Sequence, residues 1–332
     1  MSNSFEVIKL KPKGPLHIGR GWGDLDHSEP LLHSDTLKSA LFSALIQISP
    51  EWRKKAEEFF KSFIISSSFP YCNDELFLPK LQLKRKFHFE DIPEEKQAKT
   101  AKSVEYLSLN LFKKYIVTDE IISVRKKQLS EDSKFIFEKD QENIRYIFKN
   151  QVQQRVNVKF FLDSAPFYAD RIFFNKDCGI YFLAFFNTYE IKETVLRAIE
   201  YLGSQGIGTD RTVGNGFFDL NFITKHEEFD VENQDAFASL GLYLPSVDEL
   251  DKIDINNSSW GLIKRGGYMA GSEYIKFRHL LKKNIYMFTE GSVFKTQEQP
   301  KGKFVNVKPE WNDTDMHDVW RCGMPAFIPV KL

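Results

Sequence analysis

The sequence predicts an α+β protein made of two domains, the first of which carries a long insertion. From Phe5 to Ile223 the segments run strand, helix, strands, helix and strand, the order of a split β-α-β unit of ferredoxin-like type. A second group of short strands with one short helix follows the acidic stretch EEFDVENQD (227–235). The 332 residues also exceed what one compact core usually organises. We expect domains at 1–225 and 226–332, with the insertion at about 80–160.

The first strand and the first helix are predicted from residue type and spacing. FEVIKLKP (5–12) is rich in Val, Ile and Leu and ends at a proline, which is typical of a strand. HSDTLKSALFSALIQIS (33–49) places its leucines and alanines on one face of a helix. Ser34 or Asp35 is the expected N-cap of this helix.

The second half of the ferredoxin-like unit follows the insertion. GIYFLAFFN (179–187) predicts a buried strand. IKETVLRAIEYLG (191–203) repeats the helical spacing, and Gly203 is expected to end the helix. FFDLNFI (217–223) returns as a strand.

The second domain is predicted to contain mainly short strands. SVDELDKI (246–253) is the one segment there with a helical pattern. The strands are expected in ASLGLYLPS (238–246), SWGLIKRGGYM (259–269), KNIYMFTEGSVFK (283–295), GKFVNVKP (302–309) and AFIPVKL (326–332).

Composition excludes several classes of function. The formal net charge is zero, so any binding to nucleic acid must come from a local patch. The three cysteines are far apart and lack C-x-x-C spacing, which indicates neither a disulfide framework nor a zinc site. No uninterrupted apolar run is long enough to span a bilayer. We expect a cytoplasmic protein without membrane contact, metal or cofactor.

The stretch LGSQGIGTDRTVGNGFF (202–218) contains five glycines with Asp210 and Arg211. It follows a helix, whereas dinucleotide-binding and P-loop motifs run from strand to helix. Glycines allow a backbone to lie against a sugar-phosphate chain, and Arg211 could then bind a phosphate. The alternative is a long loop whose glycines serve its turns only, and the loop by itself does not separate the two.

Two further stretches combine glycines with basic residues. KPKGPLHIGRGWG (11–23) follows the first strand, and KRGGYMAGSEYIKFRH (264–279) adds aromatic rings. Recognition of single-stranded RNA needs positive charge for phosphates, bare backbone for close approach and a ring for stacking a base. The three stretches together therefore favour RNA binding.

These stretches resemble the RAMP superfamily of CRISPR-associated proteins, and within it the subunit-four family of the type III-A (Csm) effector complex. The resemblance rests on GPLHIG with HSDTLKSAL, GIGTDRTVGNGFF, KRGGYMAGS with MFTEGSVF, and HDVWRCGMPAFIPVKL. It implies two ferredoxin-like (RRM-like) domains with a glycine-rich loop after the last helix of the first. It also implies a non-catalytic subunit that binds the 5′ handle of the CRISPR guide RNA (crRNA). The implied protein partners are the large signature subunit, which carries cyclase and nuclease domains, and the backbone RAMP subunit; target RNA is contacted indirectly.

The resemblance assigns RNA-binding roles motif by motif. Those of the first domain before the insertion are Gly14, His17, Gly19, His33, Ser34 and Lys38, the last three at a helix start that favours an anion. The glycine-rich loop contributes Gly206, Gly208, Arg211, Gly214 and Gly216, and the second domain Lys264, Arg265, Gly267 and Tyr268. Arg155 is placed where relatives carry an arginine-containing loop.

Other functions use the same residues. RNA-cleaving members of the superfamily use a histidine near the first helix, so His17 or His33 would serve an endoribonuclease that processes crRNA precursors. The equivalent subunit of a type III-B complex is a third candidate, against which the closing motif argues. Asp24 and Asp26 beside His27, and the aspartates at 313–318 beside His317, could suggest metal sites, but we interpret both as solvated loops.

Overall fold

The computed structural model of the protein describes residues 3–19, 27–118, 120–141, 146–159, 162–269, 271–272 and 274–332. Within them the α-helices are α1 (Ser34–Ile48), α2 (Ala56–Lys61), α3 (Glu94–Ser103), α4 (Leu109–Tyr115), α5 (Tyr189–Gln205) and α6 (Val247–Leu250). The first twelve strands are β1 (Ser4–Pro12), β2 (Phe63–Ile65), β3 (Phe69–Cys72), β4 (Glu75–Pro79), β5 (Phe87–Glu90), β6 (Tyr106–Ser108), β7 (Ile122–Arg125), β8 (Phe135–Ile136), β9 (Phe148–Lys159), β10 (Leu162–Phe174), β11 (Cys178–Phe186) and β12 (Phe218–Glu228). The remaining strands are β13 (Ala236–Ser239), β14 (Asp254–Ser259), β15 (Leu262–Arg265), β16 (Ile285–Phe288), β17 (Val293–Lys295), β18 (Lys303–Asn306), β19 (Trp320–Gly323) and β20 (Phe327–Val330). Single 3₁₀ turns lie at Pro50–Lys54, Lys126–Gln128, Arg211–Val213 and Ile275–Phe277.

The main sheet has the order β12-β1-β11-β3-β4-β6-β8, and β2 also pairs with β11. β1 is antiparallel to both neighbours, with Ile8 opposite Phe182 of β11. Helices α1 and α5 cover one face of this sheet, where Ile8 packs with Leu41 and Ile199. Period-two alternation sends Val7 to the opposite face. The amphipathic pattern of both helices is thus satisfied by one apolar face of the sheet.

The second sheet covers the face of the main sheet that the helices leave open. Its order is β14-β17-β13-β20, all antiparallel. Ala238 and Ile328 of this sheet belong to the same buried cluster as Val7 and Leu183 of the main sheet. β1 and β11 are therefore buried on both faces. The predicted α+β class is confirmed.

The insertion ends in a long hairpin. β9 and β10 pair without other strands, from Phe148 opposite Phe174 to Lys159 opposite Leu162. The expected insertion boundary near 160 falls inside this hairpin. No helix formed by the described residues is long and apolar enough to cross a membrane.

Three local expectations need correction. The N-cap of α1 is His33, because Ser34 already has helical geometry. α5 continues past Gly203 to Gln205, with Gly206 as its cap residue. Gly203 is instead required by packing, since a Cβ there would lie 2.5 Å from the carbonyl oxygen of Phe218.

The expected absence of a disulfide is also corrected. Cys72 and Cys178 are joined, although 106 residues separate them in the chain. They face each other in register on β3 and β11, and strand register cannot be inferred from cysteine spacing. Cys322 is a buried free thiol.

Candidate nucleic-acid interface

Two of the glycine-rich stretches lie side by side as loops 13–19 and 206–216, which we call the loop pair. Loop 13–19 follows β1 and loop 206–216 connects α5 to β12, and these two strands are neighbours in the main sheet. The amide of Gly216 donates to the carbonyl of Pro15 (2.8 Å), and that of Thr209 donates to the carbonyl of His17 (3.0 Å). Each loop therefore fixes the backbone of the other.

Most glycines of the loop pair are required by this contact. A Cβ would meet a backbone carbonyl oxygen of the loop pair if it were added at Gly14, Gly206, Gly208 or Gly216. Gly216 is the tightest case, because its φ is +73° and its Cβ would overlap the carbonyl oxygen of Ile207. Packing within the chain therefore accounts for these four glycines without any contact to RNA.

The outer edge of the loop pair is open. Gly214 has a φ of +90°, and nothing lies within 4 Å of the position a Cβ would take. The Arg211 side chain is exposed and forms no hydrogen bond or ion pair with any residue that the structure describes. Gly19 is exposed as well. Asp210 pairs with the buried Arg171 (Oδ2 to Nη2, 3.4 Å) and leaves Arg211 free.

A buried polar cluster lies beneath the loop pair. His17 is 1% exposed, and its Nδ1 contacts the carbonyl oxygen of Asp170 on β10. The Asp170 carboxylate accepts from the amide of Ser28 (2.9 Å) and from Nδ2 of Asn150 (2.8 Å). The expected contact between the His17 side chain and RNA is therefore corrected: this side chain joins the loop pair to the base of the β9–β10 hairpin.

The start of α1 is also internal. Ser34 Oγ accepts from the amide of Leu242 (2.9 Å) in the second domain. Lys38 is 1% exposed, and its Nζ donates to the carbonyl oxygens of Phe60 (2.9 Å) and Phe63 (2.6 Å). Burial lowers the pKa of Lys38. Neither side chain reaches a surface where it could contact a phosphate, so both expected RNA contacts are corrected.

His33 is held between two carboxylates. Its Nε2 lies 2.9 Å from Glu29, and its Nδ1 lies 2.7 Å from Glu290 in the second domain. Burial opposes protonation, but Glu290 and Glu29 outweigh it and raise the pKa of His33 to about 10. His33 is therefore an imidazolium at neutral pH, with both ring nitrogens occupied within the protein.

Asp35 joins α1 to β15 and β19 through two arginines. Its side chain is fully buried, and Arg265 of β15 donates to both carboxylate oxygens at 3.1 and 3.2 Å. Arg321 of β19 donates to Asp35 Oδ2 and to the carbonyl of Gly266. Burial alone would raise the pKa of Asp35, but the two arginines hold it well below its usual range. Arg265, expected to contact RNA, is thus committed to Asp35.

The other second-domain residues are accessible. Lys264 is exposed on β15, Tyr268 is 44% exposed, and Gly267 has a φ of +101° with open space at its Cβ position. Arg155 is half-buried on β9, opposite Phe167 of β10. The structure does not bring these residues into contact with the loop pair through any described hydrogen bond or ion pair.

Within the described ranges, no three His, Cys, Asp or Glu side chains are grouped so as to hold a metal ion. Asp313 and Asp315 both pair with Lys276, and His317 Nε2 lies 2.8 Å from Ser272 Oγ. The aspartates at 24 and 26 lie outside the described residues.

Sequence reasoning missed the charged residues that organise the domain junction. Glu290 lies within EGSVF, Asp35 within HSDTL and Arg321 within WRCGMP, all stretches that the sequence singles out. Their partners are 230 to 286 residues away, however, and no local pattern reveals such a pairing. The available signal was that each of these stretches contains a charged residue.

Comparisons with known proteins agree with this architecture. Residues 232–330 match the family model of the CRISPR Csm4 C-terminal domain. The CRISPR system Cms protein Csm4 of Methanocaldococcus jannaschii is 24% identical over 98% of this chain and 97% of its own length. The protein of the same name from Thermococcus onnurineus is 25% identical over 88% of this chain and 87% of its own.

Solved structures show the same fold along the whole chain. A chain in the Csm3–Csm4 subcomplex of a type III-A CRISPR-Cas interference complex superposes with a TM-score of 0.63 at 19% identity, covering 98% of this chain and 100% of that one. A chain of a Csm1–Csm4 cassette in complex with cA4 gives a TM-score of 0.58 at 20% identity, covering 99% and 98%. The family model over 232–330, the curated relatives and the full-length structural likeness agree that this chain is similar to Csm4 proteins.

Proposed function

We propose that the chain is the non-catalytic subunit of a type III-A CRISPR-Cas (Csm) effector complex that binds the 5′ handle of crRNA in antiviral defence. The observation that carries the proposal is that the likeness to Csm4 extends over the whole chain and is not confined to one domain. The open edge of the loop pair supports the RNA-binding part, because an unpaired arginine lies there beside bare backbone.

The proposed RNA contacts are the expected residues that remain accessible. In the first domain they are Gly19, Arg211 and Gly214, and in the second Lys264, Gly267 and Tyr268. Arg211 and Lys264 would bind phosphates, the open glycines would allow close approach of the RNA backbone, and the Tyr268 ring would stack on a base. The buried expected residues position these contacts and do not touch RNA.

We propose that the chain forms two ferredoxin-like domains, because the two sheets have the same strand order. β2-β11-β1-β12 and β14-β17-β13-β20 have the same order when numbered within each unit, second-third-first-fourth. In the second unit the β18–β19 ribbon replaces the second helix. The match to the Csm4 C-terminal domain over 232–330 is consistent with a boundary near 226.

The protein partners follow from the solved relatives, which occur in a Csm3–Csm4 subcomplex and in a Csm1–Csm4 cassette. We propose that this chain likewise docks the large signature subunit and a backbone RAMP subunit, and that it meets target RNA indirectly. We place the arginine-containing loop of relatives at the β9–β10 hairpin, which carries Arg155.

The geometry disfavours the endoribonuclease alternative. A general base must be unprotonated and must reach the substrate, whereas His33 is an imidazolium between two carboxylates and His17 is buried. The test is to incubate the purified chain, with its large partner if required, with end-labelled crRNA and to resolve the product on native and denaturing gels. We expect a retained, intact RNA. Scission that disappears in His17→Ala or His33→Ala would replace our proposal with a processing nuclease.

A further inference from the structure

The Gly266–Gly267 turn after β15 is hydrogen-bonded to two basic residues, Lys282 and Arg321. The amide of Lys282 donates to the carbonyl of Gly267 (2.9 Å), and Arg321 Nη2 donates to the carbonyl of Gly266 (3.0 Å). The space beside Gly267 is open, and the following residue, Tyr268, is 44% exposed. An extended ligand chain could therefore approach the turn closely.

Positive charge at this turn exceeds the negative charge that faces it. Arg265, Arg321 and Lys282 all lie around the carboxylate of Asp35, and the two arginines already occupy it. Glu29 and Glu290 also face Arg265, but both pair with His33. Lys282 Nζ forms no hydrogen bond or ion pair with the described part of the chain, and the buried Nε of Arg321 has no partner. The Lys282 amine is therefore a half-buried cation with no partner in the described part of the chain, which favours an anion.

We propose that the Lys282 amine binds one backbone phosphate of the RNA at the Gly266–Gly267 turn, with the neighbouring base stacked on Tyr268. This subsite rests on the proposed RNA-binding function and adds Lys282, which the sequence did not indicate. A bound phosphate would supply negative charge for Lys282, because the Asp35 carboxylate is already paired with the two arginines.

The subsite makes RNA affinity depend on pH in the alkaline range. Burial and the neighbouring Arg321 lower the pKa of Lys282 to about 8. A bound phosphate favours the charged amine, so binding takes up protons and affinity falls as pH rises through 8. The other charged groups facing Lys282 are Arg265 from β15, Arg321 from β19 and Asp35 from α1. Arginines remain charged and Asp35 remains ionised between pH 7 and 9, so Lys282 alone changes charge there.

The adjacent Lys283 provides a matched control, because its exposed Nζ pairs with Glu310 (3.1 Å). The experiment measures binding of the full chain to a fluorescent single-stranded RNA with the native 5′ handle, as a function of salt and pH. For Lys282→Gln we expect a slope of log affinity against log salt that is smaller by about 0.7, the value for one phosphate on a single strand. The wild type should lose up to about tenfold in affinity from pH 7 to 9, whereas Lys282→Gln should not. Lys283→Gln should keep both wild-type dependences.

A second readout identifies the ligand group as a phosphate. The experiment uses a series of RNAs, each with one uncharged methylphosphonate at a different linkage of the handle. At one linkage, the substitution should weaken binding to the wild type but not to Lys282→Gln. If the RNA affinity of Lys282→Gln depends on salt and pH as that of the wild type does, the subsite is overturned, although the chain still binds RNA. No binding of the RNA by the wild type would overturn the proposed function and the subsite with it.

Discussion

Removing the Asp35 carboxylate is expected to destabilise the junction of the two domains. Asp35→Asn keeps the shape of the side chain but removes the carboxylate with which the neighbouring cations Arg265 and Arg321 both pair. Breaking a buried ion pair by removing one partner costs about 3–5 kcal/mol. With an unfolding entropy of about 2.1 cal/mol/K per residue, this corresponds to a fall in Tm of about 4–7 °C for the 332-residue chain unfolding as one unit.

A matched control separates burial from charge. Asp219 also pairs with a cation, Lys13 (2.6 Å), but both side chains are more than half exposed. We expect Asp219→Asn to cost less than about 1 kcal/mol, because solvent screens the pair. Differential scanning calorimetry and urea denaturation at pH 7 compare the two variants. Equal, small shifts for both would refute the account of the Asp35 network.

Three further outcomes follow. Arg211→Ala should weaken the binding of all single-stranded RNAs and should reduce the slope of log affinity against log salt by about one phosphate equivalent. An unchanged slope would mean that Arg211 contacts no phosphate. The difference in unfolding free energy between wild type and His33→Gln should be largest below about pH 6.5 and should shrink as pH approaches 10, by about 1.4 kcal/mol per pH unit at most. The reason is that the folded state binds the His33 proton more tightly than the unfolded state. A pH-independent difference in urea denaturation would contradict this. Gly216→Ala should lower Tm more than Gly214→Ala, because the open position of Gly214 costs only about 1–2 kcal/mol of backbone strain. RNA binding, in contrast, should be weakened by Gly214→Ala. Equal effects on Tm would show that the contact of residue 216 with Ile207 does not determine the loss of stability.

The frame of the first domain could be predicted because hydrophobic periodicity acts locally. Leu37 and Leu41 follow helical spacing, and FEVIKLKP shows strand composition, whatever lies elsewhere in the chain. β19 and the β9–β10 hairpin were missed, since their strands are short or mixed in polarity and are defined by pairing partners distant in sequence.

The sequence predicted which stretches form the candidate site better than it predicted which side chains in them are accessible. Arg211, Lys264 and Tyr268 are accessible as expected, but Lys38 and His17 are not. A lysine at a helix start has the same local sequence whether its amine reaches solvent or two backbone carbonyls. Only the tertiary fold decides between these, because burial of Lys38 depends on where Phe60 and Phe63 turn back onto α1.

The central claim is that this chain recognises the 5′ handle of crRNA, and one measurement tests it most directly. Fluorescence anisotropy at fixed salt compares the Kd of the full chain for a crRNA with the native handle and for one with a scrambled handle of equal length and composition. The account predicts tighter binding of the native handle, since phosphate contacts are the same in both and only base contacts differ. Equal Kd values for the two RNAs would contradict it.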